Sequence, residues 1–351
     1  MRIAGAFELM IRSKTTLVIG AGAGSEIEMP DGREILGKIA QGFDFARLGS
    51  ELQTRDMQVL AGHFDKFSRR IGARPEQLMQ AAQTIRTSAR VGSSIDNILE
   101  QHNNDPLVTA AGKLAIIYFT LQAEARSPLQ LEPREEGDLP LRGTENWLFQ
   151  LGKLITSGVP RSKAEKCFEN LAIINFNYDR SIQHYLPYVV AMAFGMTLQE
   201  ARQLVGAKLN IVYPLGNAGR LPWEPGERPD VEWGNEEPWN LQNLVKEIHT
   251  ASERMNNRAF VTGLHGALAG SKKIIFLGFE FDPLTIDFLF DYSLSHDPDV
   301  IAAVTGMNEP TKLAVARLLK RRTGIEEEGL ISVMEMRSFQ LLRDYSLFLE
   351  S

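Results

Sequence analysis

The chain is poor in the residues that build disulfide scaffolds and metal clusters. Its 351 residues include one cysteine, Cys167, so no bridge closes within it and no cysteine zinc centre can be assembled. A reducing, cytoplasmic setting is the expectation. Positive charge is also short: 38 Lys and Arg stand against 44 Asp and Glu, a formal net charge of −6 with the six histidines neutral. That balance lacks the basic footprint of a nucleic-acid binder, and basic residues do not interleave with the aromatic clusters at 223–239 and 276–290 as a base-stacking platform requires. Long hydrophobic runs are missing as well. None reaches the ~20 residues of a bilayer span, and residues 1–11 carry Glu8 without a small-residue cleavage site, so neither membrane anchor nor leader is expected. No histidine or carboxylate spacing resembles a metal site. The P-loop pattern, two glycines four residues apart followed by Lys and Ser or Thr, is absent.

What is there is an ordinary globular composition, 44% hydrophobic and 23% charged, long enough for one large α/β domain with an insertion. Short apolar runs at Thr15 to Ile19, Leu171 to Phe176, Lys273 to Leu277, Val300 to Thr305 and Leu330 to Met334 are continuous rather than alternating. That is the pattern of strands covered on both faces in a mainly parallel sheet. Helix signals fill the intervals: Asp105-Pro106 makes a cap and first turn, and Thr197 and Glu200 have capping-box spacing. Asn308-Glu309-Pro310 opens a helix that closes on Lys320-Arg321-Arg322 before Gly324, where cations meet the negative end of the dipole. Residues 34–166 carry no strand signal. The expected architecture is α/β, a Rossmann-like, mainly parallel sheet from residues 1–40 plus 165–351, with a large helical insertion at 41–164. Residues 128–142 read as a loop inside the insertion. Residues 216–239, rich in proline and tryptophan, are irregular yet too apolar for a free linker.

Gly20-Ala21-Gly22-Ala23-Gly24 follows the first strand, where glycine permits positive φ and close approach of a phosphate to backbone amides. A dehydrogenase fingerprint would place glycine at position 25 and an acidic strand tip ~20 residues on. Ser25 stands at the first position, and Asp44, at about the right offset, has no strand leading into it. The segment continues through Pro30-Asp31-Gly32-Arg33. From Gly20 to Arg33 it resembles the nicotinamide-dinucleotide turn of sirtuins, a Gly-Ala-Gly followed at fixed distance by Pro-Asp-x-Arg. Phe176-Asn177-Tyr178-Asp179 resembles the Asn-Tyr-Asp form found in bacterial sirtuin-like antiviral defence proteins. Ile274 to Pro283, containing Gly278 and Phe279, resembles the late strand and glycine turn of the same family.

The resemblance implies NAD as substrate or ligand and a glycohydrolase-type effector that yields nicotinamide and ADP-ribose. It places Gly20, Ala21 and Gly22 on the pyrophosphate with Gly24 and Pro30 in the same turn. Asp31 and Arg33 would meet a ribose and a phosphate, or form an exposed loop pair. Asn177 would hold the nicotinamide ribose or an attacking water, or cap the next helix; for Asp179 the cap is the first reading and ribose contact the second. Gly216, Gly278 and Phe279 would complete the pocket, with Gly278 alternatively a simple turn. The four-cysteine zinc module of protein deacetylases cannot be built, so no zinc is expected. Relatives of this kind imply a homo-oligomer and, because sheet and insertion use the whole chain, a separately encoded partner protein.

The chain departs from the pattern where the family carries a histidine, in Leu209 to Gly216. Pro214 and Leu215 stand there, and neither moves a proton. Gly24 replaces the usual serine of the turn and Glu28 a glycine. A binding module that holds NAD or ADP-ribose without cleaving it, or a structural subunit, is therefore the alternative to a hydrolase. His184, about two helical turns beyond Asn177, is the candidate proton carrier; it either faces the same cleft or packs against Tyr188. His265 repeats the Leu-His-Gly tripeptide on a helix. His249, His63, His102 and His296 have no sequence partner that suggests chemistry.

Overall fold

Four of the apolar runs form the inner strands of a six-stranded, all-parallel sheet in the order β3-β2-β1-β4-β5-β6, and the fifth forms the half-buried edge strand β6. The strands are β1 (Thr15–Ile19), β2 (Leu171–Asn175), β3 (Asn210–Val212), β4 (Lys273–Leu277), β5 (Asp299–Val304) and β6 (Ile331–Glu335). A computed structural model describes residues 11–130, 138–238, 240–325 and 331–350. Residues 1–10 with the leader question, the middle of the 128–142 loop, Trp239 and Leu330 lie outside the described residues.

Every residue of β1, β2 and β4 is buried, as continuous hydrophobicity requires of strands with helices on both faces. Successive side chains leave on opposite sides. Leu17 and Ile19 pack with helices α6 (Trp147–Thr156) and α7 (Ser181–Phe194), while Val18 packs with helices Arg258–Leu268 and Glu309–Thr323. The molecule is thus a Rossmann-like α/β fold, and its strand order is that of a doubly wound sheet.

Between β1 and α6 the chain runs through α1 (Gly32–Gly42), α2 (Arg55–Ile71), α3 (Pro75–Ser88), α4 (Ile95–Gln101) and α5 (Pro106–Arg126). Their apolar faces meet in a separate core, with Ile39, Leu60, Ile85 and Leu114 packed beside Leu215, Val231, Leu244 and Ile248. The proline-rich stretch therefore closes the helical layer. Its anchor is Arg180, wholly buried, which pairs with buried Glu124 of α5 and donates to the carbonyls of Val231 and Arg220.

Local signals decide the helix ends. Asp105 accepts from Leu107 and Val108 N–H, Thr197 and Glu200 form a reciprocal capping box, and Asn308 caps the helix that ends at Gly324 with φ +77°. Among the described residues one helix, α5, is long and apolar enough to cross a bilayer, and 83% of its most hydrophobic window is buried inside the protein. It is the central helix of the insertion core.

Candidate functional site

In a doubly wound sheet the crevice for a ligand opens at the carboxyl ends of the strands where the winding reverses. Here that point lies between β1 and β4, the middle pair of the sheet. The two turns that leave these strands are locked together: Gly20 N–H donates to the Leu277 carbonyl at 3.0 Å and Gly22 N–H to the Gly278 carbonyl at 2.8 Å. Gly278 has φ +57°, and a Cβ there would lie 1.9 Å from the Ala23 nitrogen. No other residue fits. Glu26, from the same glycine block, reaches under the sheet end and accepts from the N–H groups of Trp147 and Phe339, tying two helix starts to the turn.

Above this floor lies a cleft with two lobes that share Ala21, Gly32, Asp96 and Phe176. Phe176, at the end of β2, stacks edge to face on Phe279 with ring centres 5.2 Å apart, forming an aromatic wall between β2 and β4. Of the residues expected at a ligand, Gly20, Ala21 and Phe279 line the first lobe. Ala21, Gly24, Pro30, Asp31, Asn177 and Asp179 line the second. Gly22 and Gly278 sit behind the wall as the lock between turns.

Two of these side chains also hold a helix start, as expected of Asp179, whereas for Asp31 the expected alternative is an exposed loop pair with Arg33. Asp31 caps α1 in a reciprocal box with Glu34, and Asp179 accepts from the N–H and hydroxyl of Ser181. Asn177 differs. Its N–H donates to the Asn175 side chain, but its Oδ1 is buried and has no hydrogen-bond partner, and the same holds for Thr120 Oγ1 in the same lobe. Both atoms are enclosed by protein, and the residues that carry them line the same lobe.

The lining is acidic. Asp96, Glu100, Glu280 and Asp282 border the first lobe, Asp31 and Asp179 the second, and among the described residues no Lys or Arg lines either. Burial pushes the Glu280 carboxyl upward, with Asp31 adding to the rise and Arg33, on α1, opposing it. Arg33 thus acts on the rim rather than inside. No three His, Cys, Asp or Glu side chains among the described residues converge as metal ligands.

The proton carrier proposed from sequence is elsewhere. His184 borders a different cavity, stacked on Trp233 at 4.2 Å with Nε2 at 3.0 Å from the Leu129 carbonyl. Burial depresses its pKa to about 4. The histidine that does line the cleft is His249. Gly216, at φ +87°, lets its strand approach Ile248 in an antiparallel bridge where a Cβ would collide with the Glu247 carbonyl. The bridge continues with His249 N–H donating to the carbonyl of Leu215 at 2.9 Å. His249 Nδ1 lies 3.8 Å from Glu253, which is itself held by Lys113 at 2.6 and 2.7 Å. Burial, with Arg254 and Lys113 adding to it, lowers the His249 pKa to about 4. Gly216 is therefore a support for this wall and not part of the lining.

Sequence reasoning also missed the insertion's share of the site. Ser94, Asp96, Asn97 and Glu100 come from α4 and its cap, and Thr120 from α5. No local motif marks them. A scan against protein-family models and a search of the curated proteins find no match to the chain.

Proposed function

We propose that the cleft binds NAD and that the chain is a sirtuin-like NAD glycohydrolase, releasing nicotinamide and ADP-ribose. The observation that carries this reading is a cleft at the switch point of the sheet whose lining includes Gly20, Ala21, Asn177 and Phe279. Three sequence blocks that resemble the sirtuin family, Gly20 to Arg33, Phe176 to Asp179 and Ile274 to Pro283, meet at that same cleft. The fit is best for the sugar and nicotinamide part: carboxylates and an amide suit ribose hydroxyls, and an anionic lining suits a pyridinium cation. The pyrophosphate is left to the backbone at Ala21 and to Arg33 at the rim, since the Gly20 and Gly22 N–H groups are committed to the Leu277 and Gly278 carbonyls.

Cleavage breaks the bond between ribose C1′ and the pyridinium nitrogen, and the bonding pair departs with neutral nicotinamide while water adds to C1′. No acid is needed for that leaving group. The work of the site is to orient ribose and water and to stabilise positive charge at C1′, and neutral Asn177 is an orienting group. A second reading, a module that binds NAD or ADP-ribose and acts through a partner, is favoured by Leu215 in the position where the family carries histidine.

Incubation of the purified chain with NAD, with nicotinamide followed by chromatography, is the direct test, run beside thermal shift with NAD and ADP-ribose. Nicotinamide release that is lost on Asn177→Ala supports the hydrolase. A thermal shift without product supports the binding module. Neither product nor shift overturns both.

A further inference from the structure

Among the described residues Asp96 is the one carboxylate that borders both lobes. It sits in the first turn of α4, where an acidic residue ordinarily faces water and the helix dipole. Instead its Oδ1 accepts the hydroxyl of Tyr178, the central residue of the Asn-Tyr-Asp block, so the turn after β2 holds a side chain of the helical insertion. The residues that flank Tyr178, Asn177 and Asp179, line the second lobe beside Asp96. Thr120 of α5 lines that lobe as well, so two helices of the insertion border it.

Resting on the NAD reading above, we propose that Asp96, presented by the insertion and oriented by Tyr178, is the carboxylate that faces the positive charge of the pyridinium and of ribose C1′. As the C1′–nitrogen bond breaks, its electron pair leaves on nicotinamide; the water oxygen bonds to C1′, and one water proton passes to the Asp96 carboxylate and then to solvent. Atoms and charge balance: NAD cation and water give nicotinamide, ADP-ribose and one proton. The insertion is then a half of the catalytic site and not a decoration.

The groups that face Asp96 set its titration. Burial raises its carboxyl to about 6, the Tyr178 hydrogen bond pulls the other way, and Asp282 and Glu280 from the β4 turn add to the rise. Glu100 from its own helix and His249 from the bridge border the same lobe, Asp31 and Asp179 the other. At neutral pH Asp96 is a carboxylate, and it is a stronger base than its surface counterparts, as a proton acceptor working near neutrality should be. Tyr178, which reaches the site through Asp96, is a positioning residue.

The test compares wild type with Asp96→Asn and Tyr178→Phe. Calorimetry would show wild type binding the cationic oxidised dinucleotide about tenfold or more tightly than the neutral reduced one, and Asp96→Asn binding the two alike, since only the carboxylate senses that charge. Nicotinamide release in Asp96→Asn should fall about 100-fold or more, with ADP-ribose affinity kept as the control for an intact fold. Tyr178→Phe should move the acid limb of the rate profile upward from about pH 6, because the hydrogen bond that favours the ionised form is gone. An Asp96→Asn chain that cleaves at a wild-type rate, or keeps the preference for the cation, overturns the assignment of Asp96 and leaves the NAD reading standing. A wild-type chain that neither binds nor cleaves NAD overturns both.

Discussion

Substituting Asp96 by Asn should make the protein more stable, and only above a defined pH. The folded chain holds the Asp96 carboxyl near 6 where an ordinary aspartate has 3.8. Between those values the folded chain binds the proton that the unfolded chain has already released, so wild-type stability falls as pH rises through the window. Below about 3.8 the penalty is absent, and above about 6 it is complete. The interval corresponds to about 3 kcal/mol at ~1.36 kcal/mol per tenfold change, and water in the open cleft reduces this to about 1–3 kcal/mol. Asparagine keeps the shape, accepts the same hydrogen bond from Tyr178 and carries no charge, so it escapes the penalty. Denaturant unfolding of both chains across pH 4 to 8, at equal m, measures the difference directly. Glu26, Glu124 and Asp179 are raised in the same sense but are common to both chains and cancel in the comparison, while Glu280, which acts on Asp96, is relieved with it. A variant that is less stable than wild type at pH 8, or a difference that does not change with pH, would show that the carboxylate is held by a compensating partner and that the reasoning about the cleft is wrong. A group kept ionised at such a cost is what a site selected for activity would retain.

Gly278→Ala, whose Cβ would enter the glycine turn 1.9 Å from the Ala23 nitrogen at φ +57°, should lower stability by about 2–4 kcal/mol. It should also abolish NAD binding, both read from melting curves with and without ligand. His184→Gln should leave NAD affinity unchanged, because the ring borders another cavity. In wild type its pKa of about 4, below the usual 6.5, means that the unfolded chain takes the proton first as pH falls, so stability is lost from 6.5 down to about 4. The variant should lack part of that acid slope in a pH series of unfolding midpoints.

Much of the fold was legible because it is written in local terms. A strand buried on both faces must be apolar throughout, so β1, β2, β4 and β5 stand out. A helix must satisfy its first amides, so Asp105, Thr197 and Asn308 announce where helices begin. The glycine block and the Asn-Tyr-Asp block were visible for the same reason, since each is a turn whose backbone restricts the residues allowed. Of the two readings of His184, packing holds: its ring meets Tyr188 edge on at 5.8 Å. Two turns along α7 carry it past the cleft to Trp233, and spacing along one helix says nothing of what packs on the opposite side.

The sequence by itself determined the parallel sheet, the largely helical character of residues 34–166 and the two glycine-rich or asparagine-rich turns that end β1 and β2. Only the tertiary structure decided that α4 and α5 lean over those turns, that Tyr178 meets Asp96 across 82 residues of chain, and that His249 stands beside Leu215. The physical reason is range: backbone conformation and strand burial are set by neighbours in sequence, whereas a cleft is made where surfaces from distant segments fail to close, and no short pattern encodes such a gap.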